Sequence, residues 1–351
     1  MKSGTYDRQP PLCTRLKYFI YRRFRFVCSL WFANGCSQSC FIFGLVSIAG
    51  WGICVAIPTL YSEEGNTGPF VRVFGCFLAF QLIVNWLCIK TVDSTYKPYK
   101  HGTKPDNVKV GEILNRVQSY GRAVNGTGLI EDESIRQGPD FNTAGVPSTS
   151  LNGQPTRTVY SYFSWTPCLR CNRISPPRCH HCPSCNKCIL KRDHHCFVTG
   201  VCVGFNNLRH FAVFITWSSV ATIFAVVHAL PYYYYEVFEH TSVCDLFFPI
   251  AILRCLLGYI ECKYAFLCVV LWVLFGFLTW STSFFGHVYS IVRTGLTTFE
   301  KDNNYMMYDV RPLHERLEAV FGQFWFLNFI VPLHFVFKPN DDPVNWRYVR
   351  A

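Results

Sequence analysis

The chain has 351 residues, of which 50% are hydrophobic, 17% aromatic and 16% charged. Soluble globular domains carry about 25% charged residues, so this composition favours a membrane protein and excludes a largely disordered chain or a small secreted disulfide-rich domain. The formal net charge is +11. In a membrane protein such an excess is typical of basic cytosolic segments, so it does not by itself indicate a nucleic-acid partner.

Four apolar runs predict membrane-spanning helices, because about 20 apolar residues in a helix cross the hydrocarbon core. They are residues 41–60, 70–89, 211–230 and 264–285, and only Arg72, near one end of the second run, is charged. We therefore predict an α-helical polytopic membrane protein, with two spans in 41–90 and two more, joined by an exoplasmic loop, in 210–286.

The distribution of basic residues predicts the orientation of these spans. Residues 1–40 carry seven Lys and Arg, residues 91–207 carry fourteen, and the tail from residue 287 carries seven. The connection 61–69 has none, and 231–262 has only Arg254. The positive-inside rule therefore places three segments in the cytosol: 1–40, the polar linker 91–160 with the cysteine-rich segment after it, and 287–351. We predict an endomembrane location (Golgi or endoplasmic reticulum) or the plasma membrane, with both termini cytosolic.

Two further apolar stretches do not fit this scheme simply. Residues 246–260 are short for a span and contain Arg254, so we interpret them as an interfacial or re-entrant part of the exoplasmic loop. Residues 319–337 are either a fifth span or an aromatic segment packed on the membrane face, and their polar and proline residues favour the second interpretation. Cys244 and Cys262 flank the exoplasmic loop; they either form a disulfide or line apolar surface.

A cysteine-rich domain is predicted at residues 161–209. Eight Cys and four His lie between Cys168 and Cys202, in a segment assigned to the reducing cytosol, where metal binding is favoured over disulfides. CxxC pairs suit tetrahedral zinc, because two thiolates three residues apart can converge on one ion. Two closed sites would use eight of these twelve candidate ligands. The remaining four include any group free for catalysis.

The sequence Asp193-His194-His195-Cys196 holds the residue types of a nucleophilic site. An imidazole can accept the thiol proton, and a carboxylate can orient that imidazole and stabilise its cation. The spacing alone does not decide which of the two adjacent histidines binds metal.

At these residues the chain resembles the DHHC-type protein S-acyltransferases, also called palmitoyltransferases. The family pattern is CxxC, then HC, CxxC, a further Cys, DHHC, and a final Cys six residues later. This chain matches it without a gap, and the likeness continues through the layout of four spans with the cysteine-rich domain between the second and third. Further matching residues are Gly204, Asn207, Phe211 and the TTxE element Thr297, Thr298, Phe299 and Glu300.

The resemblance implies an assignment for each site residue. Cys196 would be the nucleophile, with His194 as its base and Asp193 orienting that base, and Thr298 and Glu300 would support the site unless they are only a polar helix end. Two structural zinc ions would be bound in an interleaved manner, one by Cys168, Cys171, His181 and Cys188, the other by Cys182, Cys185, His195 and Cys202. Cys179 and His180 are then expected not to be ligands.

The resemblance also implies the reaction and the partners. Cys196 would take a long-chain acyl group from palmitoyl-CoA and pass it to cysteine thiols of cytosolic or membrane-associated proteins, with the acyl chain held among the spans in contact with lipid. No nucleic-acid partner is expected.

Some residues depart from the family pattern. Residues 197–201 read Phe-Val-Thr-Gly-Val where the family usually has Pro-Trp-Val-Asn-Asn, and Asp93-Ser94-Thr95 stands where Asp-Pro-Gly is usual. Arg316 replaces an asparagine.

Two alternative functions belong to different classes. A membrane-anchored RING-like ubiquitin ligase also uses two zinc ions, but its pattern closes with a CxxC pair, whereas here Cys188 is followed only by Cys196 and Cys202. A zinc-binding membrane scaffold that lacks acyltransferase activity is the second alternative. Acyl-CoA labelling that depends on Cys196 discriminates both alternatives from the enzyme.

Overall fold

The computed structural model describes residues 36–62, 67–97, 165–168, 170–171, 173–303, 305, 307–331, 339–344 and 346–350. Most of the predicted N-terminal segment 1–40 and of the linker 91–160 therefore lies outside the described residues.

The four predicted spans are confirmed as helices long and apolar enough to cross a membrane. Helix α1 (Cys36–Trp51) continues through a π-helical turn to Leu60, and α2 is Thr67–Thr91. Helix α3 (Leu208–Tyr232) ends in a second π-helical turn. The fourth span, Cys262–Thr294, exceeds its apolar run and ends where Gly295 adopts φ 73°, a left-handed conformation that glycine tolerates.

Both π-helical turns lie beside a proline in the same helix. Pro58 follows the turn Gly52–Ala56, and Pro231 precedes the turn Tyr233–Val237. Proline has no N–H to continue the hydrogen-bond ladder, so local changes of helical pitch are expected beside it.

The connection between the third and fourth spans contains helix α4 (Phe248–Leu256), and the fourth span is therefore helix α5 (Cys262–Thr294). Nine residues in a helix rise only about 14 Å, so α4 is too short to span the membrane, as the sequence predicts. Arg254 at its C-terminal end pairs with Asp245, which is completely buried. The ion pair accounts for a charged residue in this otherwise apolar stretch.

Three short antiparallel hairpins form the cysteine-rich domain between α2 and α3. In the first, β1 (Thr166–Cys168) pairs with β2 (Arg173–Ser175). In the second, β3 (His180–Cys182) pairs with β4 (Lys187–Ile189), and in the third, β5 (His194–Cys196) pairs with β6 (Val201–Val203). The arrangement agrees with the predicted fold class, four membrane helices with a small cysteine-rich domain between the second and third.

A hydrogen-bonded junction fixes this domain to the ends of α2 and α3. Asn207 accepts the Gly204 N–H (2.8 Å) and the Ser94 hydroxyl (3.0 Å), and its amide donates to the Ile89 and Cys202 carbonyls. A Cβ at Gly204 would lie 2.7 Å from the Leu190 carbonyl oxygen, so only glycine fits there. The junction therefore fixes the third hairpin against the membrane helices.

The residues after α5 return to the cysteine-rich domain and the spans. They form α6 (Thr298–Asp302), α7 (Leu313–Phe321) and a two-stranded pair of β7 (Tyr308–Asp309) with β8 (Val349–Arg350). Residues 319–337 are not one helix in the part that the structure describes: α7 ends at Gly322, where φ is 82°, and a short 3₁₀ helix follows at Trp325–Phe329. Residues 332–337 of the stretch lie outside the described residues.

This aromatic segment packs against the second and third spans. Trp217 donates from its indole N–H to the Phe329 carbonyl (2.8 Å), and Gln81 donates to the Ile330 carbonyl (2.5 Å). Asn328 donates to the Phe321 carbonyl (3.0 Å) within the segment. These bonds satisfy polar groups that the apolar surroundings would otherwise leave unpaired.

The largest buried apolar cluster joins the membrane helices to the third hairpin. It contains Phe41 of α1, Leu82 of α2, Phe211 and Phe214 of α3, and Cys196 of β5. Cys196 thus lies at the boundary between the cysteine-rich domain and the spans.

Candidate active site and metal centres

The first group of candidate metal ligands is shared by the first two hairpins. Cys168, Cys171, His181 and Cys188 place one ligand atom each within 4.8 Å of one another. The thiols of Cys168 and Cys171 lie 3.6 and 3.2 Å from His181 Nδ1. His181 and Cys188 are opposite each other in the β3–β4 register, so strand pairing brings them together.

The second group is shared by the second and third hairpins. Cys182, Cys185, His195 and Cys202 again lie within 4.8 Å of one another. Three thiols surround His195 Nδ1, those of Cys185 at 3.2 Å and of Cys182 and Cys202 at 3.7 Å. His195 and Cys202 are opposite each other in the β5–β6 register.

Both groups fit zinc. Zn–S bonds of about 2.3 Å and Zn–N bonds of about 2.0–2.1 Å in a tetrahedron separate neighbouring ligand atoms by roughly 3.5–3.8 Å. The Cys185–Cys202 sulfur distance is 3.6 Å, and most of the sulfur to Nδ1 distances lie in the same range. Three cysteines and one histidine form a closed donor set typical of structural zinc. These are the two interleaved sets that the resemblance implies, and neither includes Cys179 or His180.

The two histidines of the Asp193–Cys196 sequence lie on different faces of strand β5. Successive side chains on a strand point to opposite faces. His195 therefore points towards the second metal group, while His194 and Cys196 share the other face, which packs against the spans. His194 lies 5.0 Å from the Phe211 ring, measured between ring centroids.

Asp193, His194 and Cys196 form a connected set of side chains. His194 Nδ1 hydrogen-bonds Asp193 Oδ2 at 2.6 Å, and the imidazole lies close enough to the Cys196 thiol to lower the pKa of that thiol. Because Nδ1 is used by the carboxylate, Nε2 is the nitrogen that remains for the sulfur. Asp193 and Cys196 are both buried, at 3% and 5% exposure.

The electrostatics of this set favour an ion pair of imidazolium and thiolate. Burial opposes the charged form of His194, but the hydrogen bonds to Asp193 and Cys196 outweigh it and raise the pKa of His194 to about 10. Burial likewise raises the pKa of the Cys196 thiol, and the adjacent imidazole more than reverses this, so that the pKa is lowered. A thiol with a lowered pKa beside a base is the form in which cysteine acts as a nucleophile.

Helix α6 supports Asp193 from the C-terminal region. The backbone N–H of Thr298 donates to Asp193 Oδ1 at 2.6 Å, and the Thr298 hydroxyl hydrogen-bonds His287 Nε2 of α5. Both carboxylate oxygens of Asp193 are therefore hydrogen-bonded. The structure thus brings Thr298 into contact with the candidate catalytic residues.

Glu300 is held by the cysteine-rich domain and does not contact the catalytic set directly. Arg178 binds both of its carboxylate oxygens at 2.7 Å and also donates to the Gly295 carbonyl. Glu300 in turn accepts the Thr297 N–H, and Thr297 accepts the Glu300 N–H, which forms a capping box at the start of α6. Both side chains of the ion pair are 1% exposed.

Sequence reasoning missed several residues around the site. Arg178 carried no motif signal, and only its positive φ of 62° in the structure marks it as unusual. Ser94, in the segment that departs from the family pattern, takes part in the Asn207 junction. Residues 197–201, which depart from the family pattern, form a tight turn after Cys196, and Gly200 in this turn adopts φ 71°. The indole N–H of Trp86, on α2, donates to the Val198 carbonyl of the turn.

An apolar cavity lies between the four membrane helices. All four spans contribute to its walls, and two of its lining residues, Phe41 and Leu82, belong to the buried cluster that contains Cys196. The cavity continues along the spans to Tyr233 and Trp51, towards the opposite end of the helices from the cysteine-rich domain. Its walls are mostly apolar, which suits an aliphatic chain.

Fold and site together define an integral membrane protein in which a buried cysteine, Cys196, lies beside His194 on a domain with two sites suited to zinc. Residues 161–305 match the family model described as DHHC palmitoyltransferase. The matched segment contains the DHHC sequence at Asp193–Cys196, so this part of the chain is similar to the DHHC palmitoyltransferases.

Individual relatives agree with this assignment. Palmitoyltransferase ZDHHC22 of Mus musculus is 29% identical over 169 residues, which are 47% of this chain and 59% of the relative. The ZDHHC22 of Homo sapiens is 28% identical over 202 residues, or 57% of this chain and 69% of the relative. Palmitoyltransferase ZDHHC20-B of Danio rerio is 47% identical over 66 residues, or 19% of this chain and 20% of the relative. The chain thus spans about three fifths of the length of the mouse relative.

Proposed function

We propose that the protein is a protein S-palmitoyltransferase that works through an acyl-enzyme on Cys196. The single observation that carries the proposal is the position of Cys196: it contacts His194 on the cytosolic-domain side and belongs to the apolar cluster that borders the intramembrane cavity. A thioester whose aliphatic chain lies among the spans would present its carbonyl at this position.

The first half of the reaction forms the acyl-enzyme. The Cys196 thiolate attacks the thioester carbonyl of palmitoyl-CoA, a bond forms between Cys196 Sγ and the acyl carbon, and the bond to the CoA sulfur breaks. His194 returns the proton to the leaving CoA thiolate, and Asp193 stabilises the imidazolium before that transfer. Each methylene of the chain that stays in the cavity contributes about 0.8 kcal/mol.

The second half transfers the acyl group to a substrate. A cysteine thiol of a cytosolic or membrane-associated protein gives its proton to His194 and attacks the acyl carbon, and Cys196 leaves as the thiolate. The basic segments favour a cytosolic position for both termini and the site, and an endomembrane or plasma-membrane location. Substrate cysteines would then lie close to the cytosolic membrane surface.

The two metal groups serve structure in this proposal. Zinc, when bound, crosslinks the hairpins and so fixes the strand that carries His194 and Cys196. Each closed set has its four ligands without Asp193, His194 or Cys196, so the proposed reacting groups are separate from the metal ligands.

The test is labelling of purified protein with an alkyne-tagged palmitoyl-CoA. We expect a thioester-linked label that hydroxylamine removes and that Cys196→Ser abolishes. Cys244→Ser, at an exposed cysteine of the loop between α3 and α5, is the matched control and should label like the natural chain. Absence of label from the natural chain with two bound zinc ions would contradict the proposal and favour a zinc-binding scaffold.

A further inference from the structure

Two cysteines meet at the end of the loop between α3 and α5. Cys255 lies in the last turn of α4, and Cys262 is the first residue of α5. Their sulfur atoms are 2.9 Å apart. A disulfide bond is about 2.05 Å long, so the two sulfurs need to approach by less than about 1 Å to bond.

The backbone between the two cysteines is already folded into a turn. The Gly258 N–H donates to the Cys255 carbonyl (3.0 Å), and the Tyr259 N–H donates to the Arg254 carbonyl (2.8 Å). Gly258 adopts φ 78°, which a glycine tolerates without strain. The chain entropy of bringing the two cysteines together is therefore already lost when the loop folds.

Packing holds one sulfur and leaves the other accessible. Cys255 packs against a buried cluster formed by Ala251, Ile260, Ala265 and Cys268, which fastens α4 to α5. Cys262 is exposed. An accessible thiol beside a fixed one is the arrangement that thiol–disulfide exchange needs.

We propose that Cys255 and Cys262 form a disulfide that fastens the loop on the exoplasmic side of the membrane. The proposal rests on the orientation that the basic segments favour, in which this loop faces an oxidising lumen or cell exterior. It does not depend on the acyltransferase chemistry, which takes place at the other end of the spans.

The reaction is a thiol–disulfide exchange with a disulfide donor such as oxidised glutathione or a luminal dithiol oxidase. The Cys262 thiolate attacks one donor sulfur, a mixed disulfide forms, and one donor thiolate leaves. The Cys255 thiolate then attacks the Cys262 sulfur and releases the second donor thiolate. Two protein thiols are oxidised to the disulfide, the donor disulfide is reduced to two thiols, and the two protons of the protein thiols end on the two donor thiols.

The geometry selects Cys255 as the partner of Cys262. Cys244 flanks the loop at its other end, in a short 3₁₀ helix that is fixed by the pairing of Asp245 with Arg254. Cys244 therefore serves as the internal control for the pairing of Cys255 with Cys262.

The experiment uses the full chain expressed in cultured animal cells. Membranes are quenched in acid, free thiols are blocked with N-ethylmaleimide, and disulfides are then reduced and alkylated with iodoacetamide before trypsin digestion. Cleavage after Arg254 and Lys263 yields one peptide, 255–263, that contains both cysteines. We expect both to carry the iodoacetamide product, and we expect the unreduced peptide to be lighter by two hydrogen atoms.

Variants separate the possible outcomes. In Cys255→Ser the remaining Cys262 should react with N-ethylmaleimide, whereas Cys244→Ser should leave the peptide unchanged. N-ethylmaleimide on both cysteines of the natural chain, or a crosslink from either to Cys244, overturns the inference. Glu239→Asn creates an acceptor sequon with Thr241 in the same loop, and its glycosylation reports the exoplasmic orientation. Free thiols together with glycosylation overturn the disulfide while leaving the orientation in place.

Discussion

Adjacent histidines of strand β5 have different environments because a strand alternates its side chains. His195 faces three thiols, and His194 faces Asp193 and Cys196. The same alternation applies in β3, where His181 belongs to the first metal group and the next residue, Cys182, to the second. A three-residue strand thus serves two purposes at once, and this explains why consecutive His and Cys residues occur in the sequence.

Asp193→Asn is expected to slow acyl-enzyme formation. The amide cannot stabilise the His194 cation as a carboxylate does, so the Cys196 thiolate becomes less populated at neutral pH. Positioned acid–base groups contribute about 10²–10⁴-fold to rate, and the loss should lie within that range. Single-turnover labelling with palmitoyl-CoA measures it, together with the zinc content, which should stay at two ions per chain.

Thr298→Ala is the matched control for that variant. Its backbone N–H still donates to Asp193, and only the hydroxyl and its bond to His287 are lost. We expect a clearly smaller loss of rate than with Asp193→Asn. Equal losses would mean that Asp193 acts only by holding α6 in place.

The sequence predicts which residues form the candidate catalytic and metal sites, but it does not predict all of their contacts. Spacing left open which histidine binds metal, and the strand pairing of His195 with Cys202 supplies the physical reason. Arg178 could not have been found, because an isolated arginine has no pattern and its partner Glu300 is distant in the sequence.

Helix α6 is held at its first turn by the buried pair of Arg178 and Glu300. Removing one partner of a buried ion pair costs about 3–5 kcal/mol, because the other charge stays buried without compensation. Arg178→Met should therefore lower thermal stability strongly and reduce labelling by displacing Thr298 from Asp193. Heat unfolding in detergent and labelling at low temperature measure the two effects separately.

Arg178→Lys keeps the charge but loses the two-pronged contact with the Glu300 carboxylate. It should fall between the natural chain and Arg178→Met in both measurements. If the lysine variant is as unstable as the methionine variant, the fork geometry and not the charge is what α6 requires.

The hairpins of the cysteine-rich domain have few apolar residues of their own, so metal should supply much of their stability. A strong chelator, or acidification that protonates the thiolates, is expected to remove zinc and abolish labelling. Zinc analysis should give two ions per chain before treatment. Readdition of zinc at neutral pH after brief chelation should restore labelling, and full activity without zinc would contradict this role.

Residues 319–337 show where apolar composition is a poor guide to an element. The stretch is apolar enough to resemble a span, but Gly322 and Phe324 adopt positive φ and end α7. Trp217 and Gln81 bind carbonyls of the following residues, and such tertiary hydrogen bonds are invisible to hydropathy.

The apolar cavity among the spans is connected to the candidate nucleophile through shared packing, because its lining residues Phe41 and Leu82 belong to the same buried cluster as Cys196. Ala225 of α3 lines this cavity but does not belong to the buried cluster that contains Cys196. Ala225→Phe should fill part of it, and each methylene that the ring excludes costs about 0.8 kcal/mol of acyl burial. Labelling with palmitoyl-CoA should fall relative to labelling with a shorter acyl-CoA.

Val227→Phe is the control for that variant. Val227 is two residues further on the same helix but faces outwards, with 59% of its surface exposed. It should leave the ratio of long-chain to short-chain labelling unchanged. An equal shift in both variants would indicate a general disturbance of α3.

At the scale of the whole chain, the four spans and the position of the cysteine-rich domain were predictable because each depends on local composition. The cavity was expected only as a space among spans. Its walls depend on which faces of the four helices meet. Those faces are set by packing between side chains that are far apart in the sequence.

The second hairpin belongs to both metal groups, since Cys188 completes the first and Cys182 and Cys185 begin the second. An ion bound in the first group orders this hairpin and so reduces the entropy lost when the second ion binds. Zinc uptake by the metal-free protein is therefore expected to be positively cooperative, with partly loaded chains scarce. At limiting zinc, the active fraction should then fall in proportion to the average metal content, because nearly every zinc ion would sit in a chain that holds both.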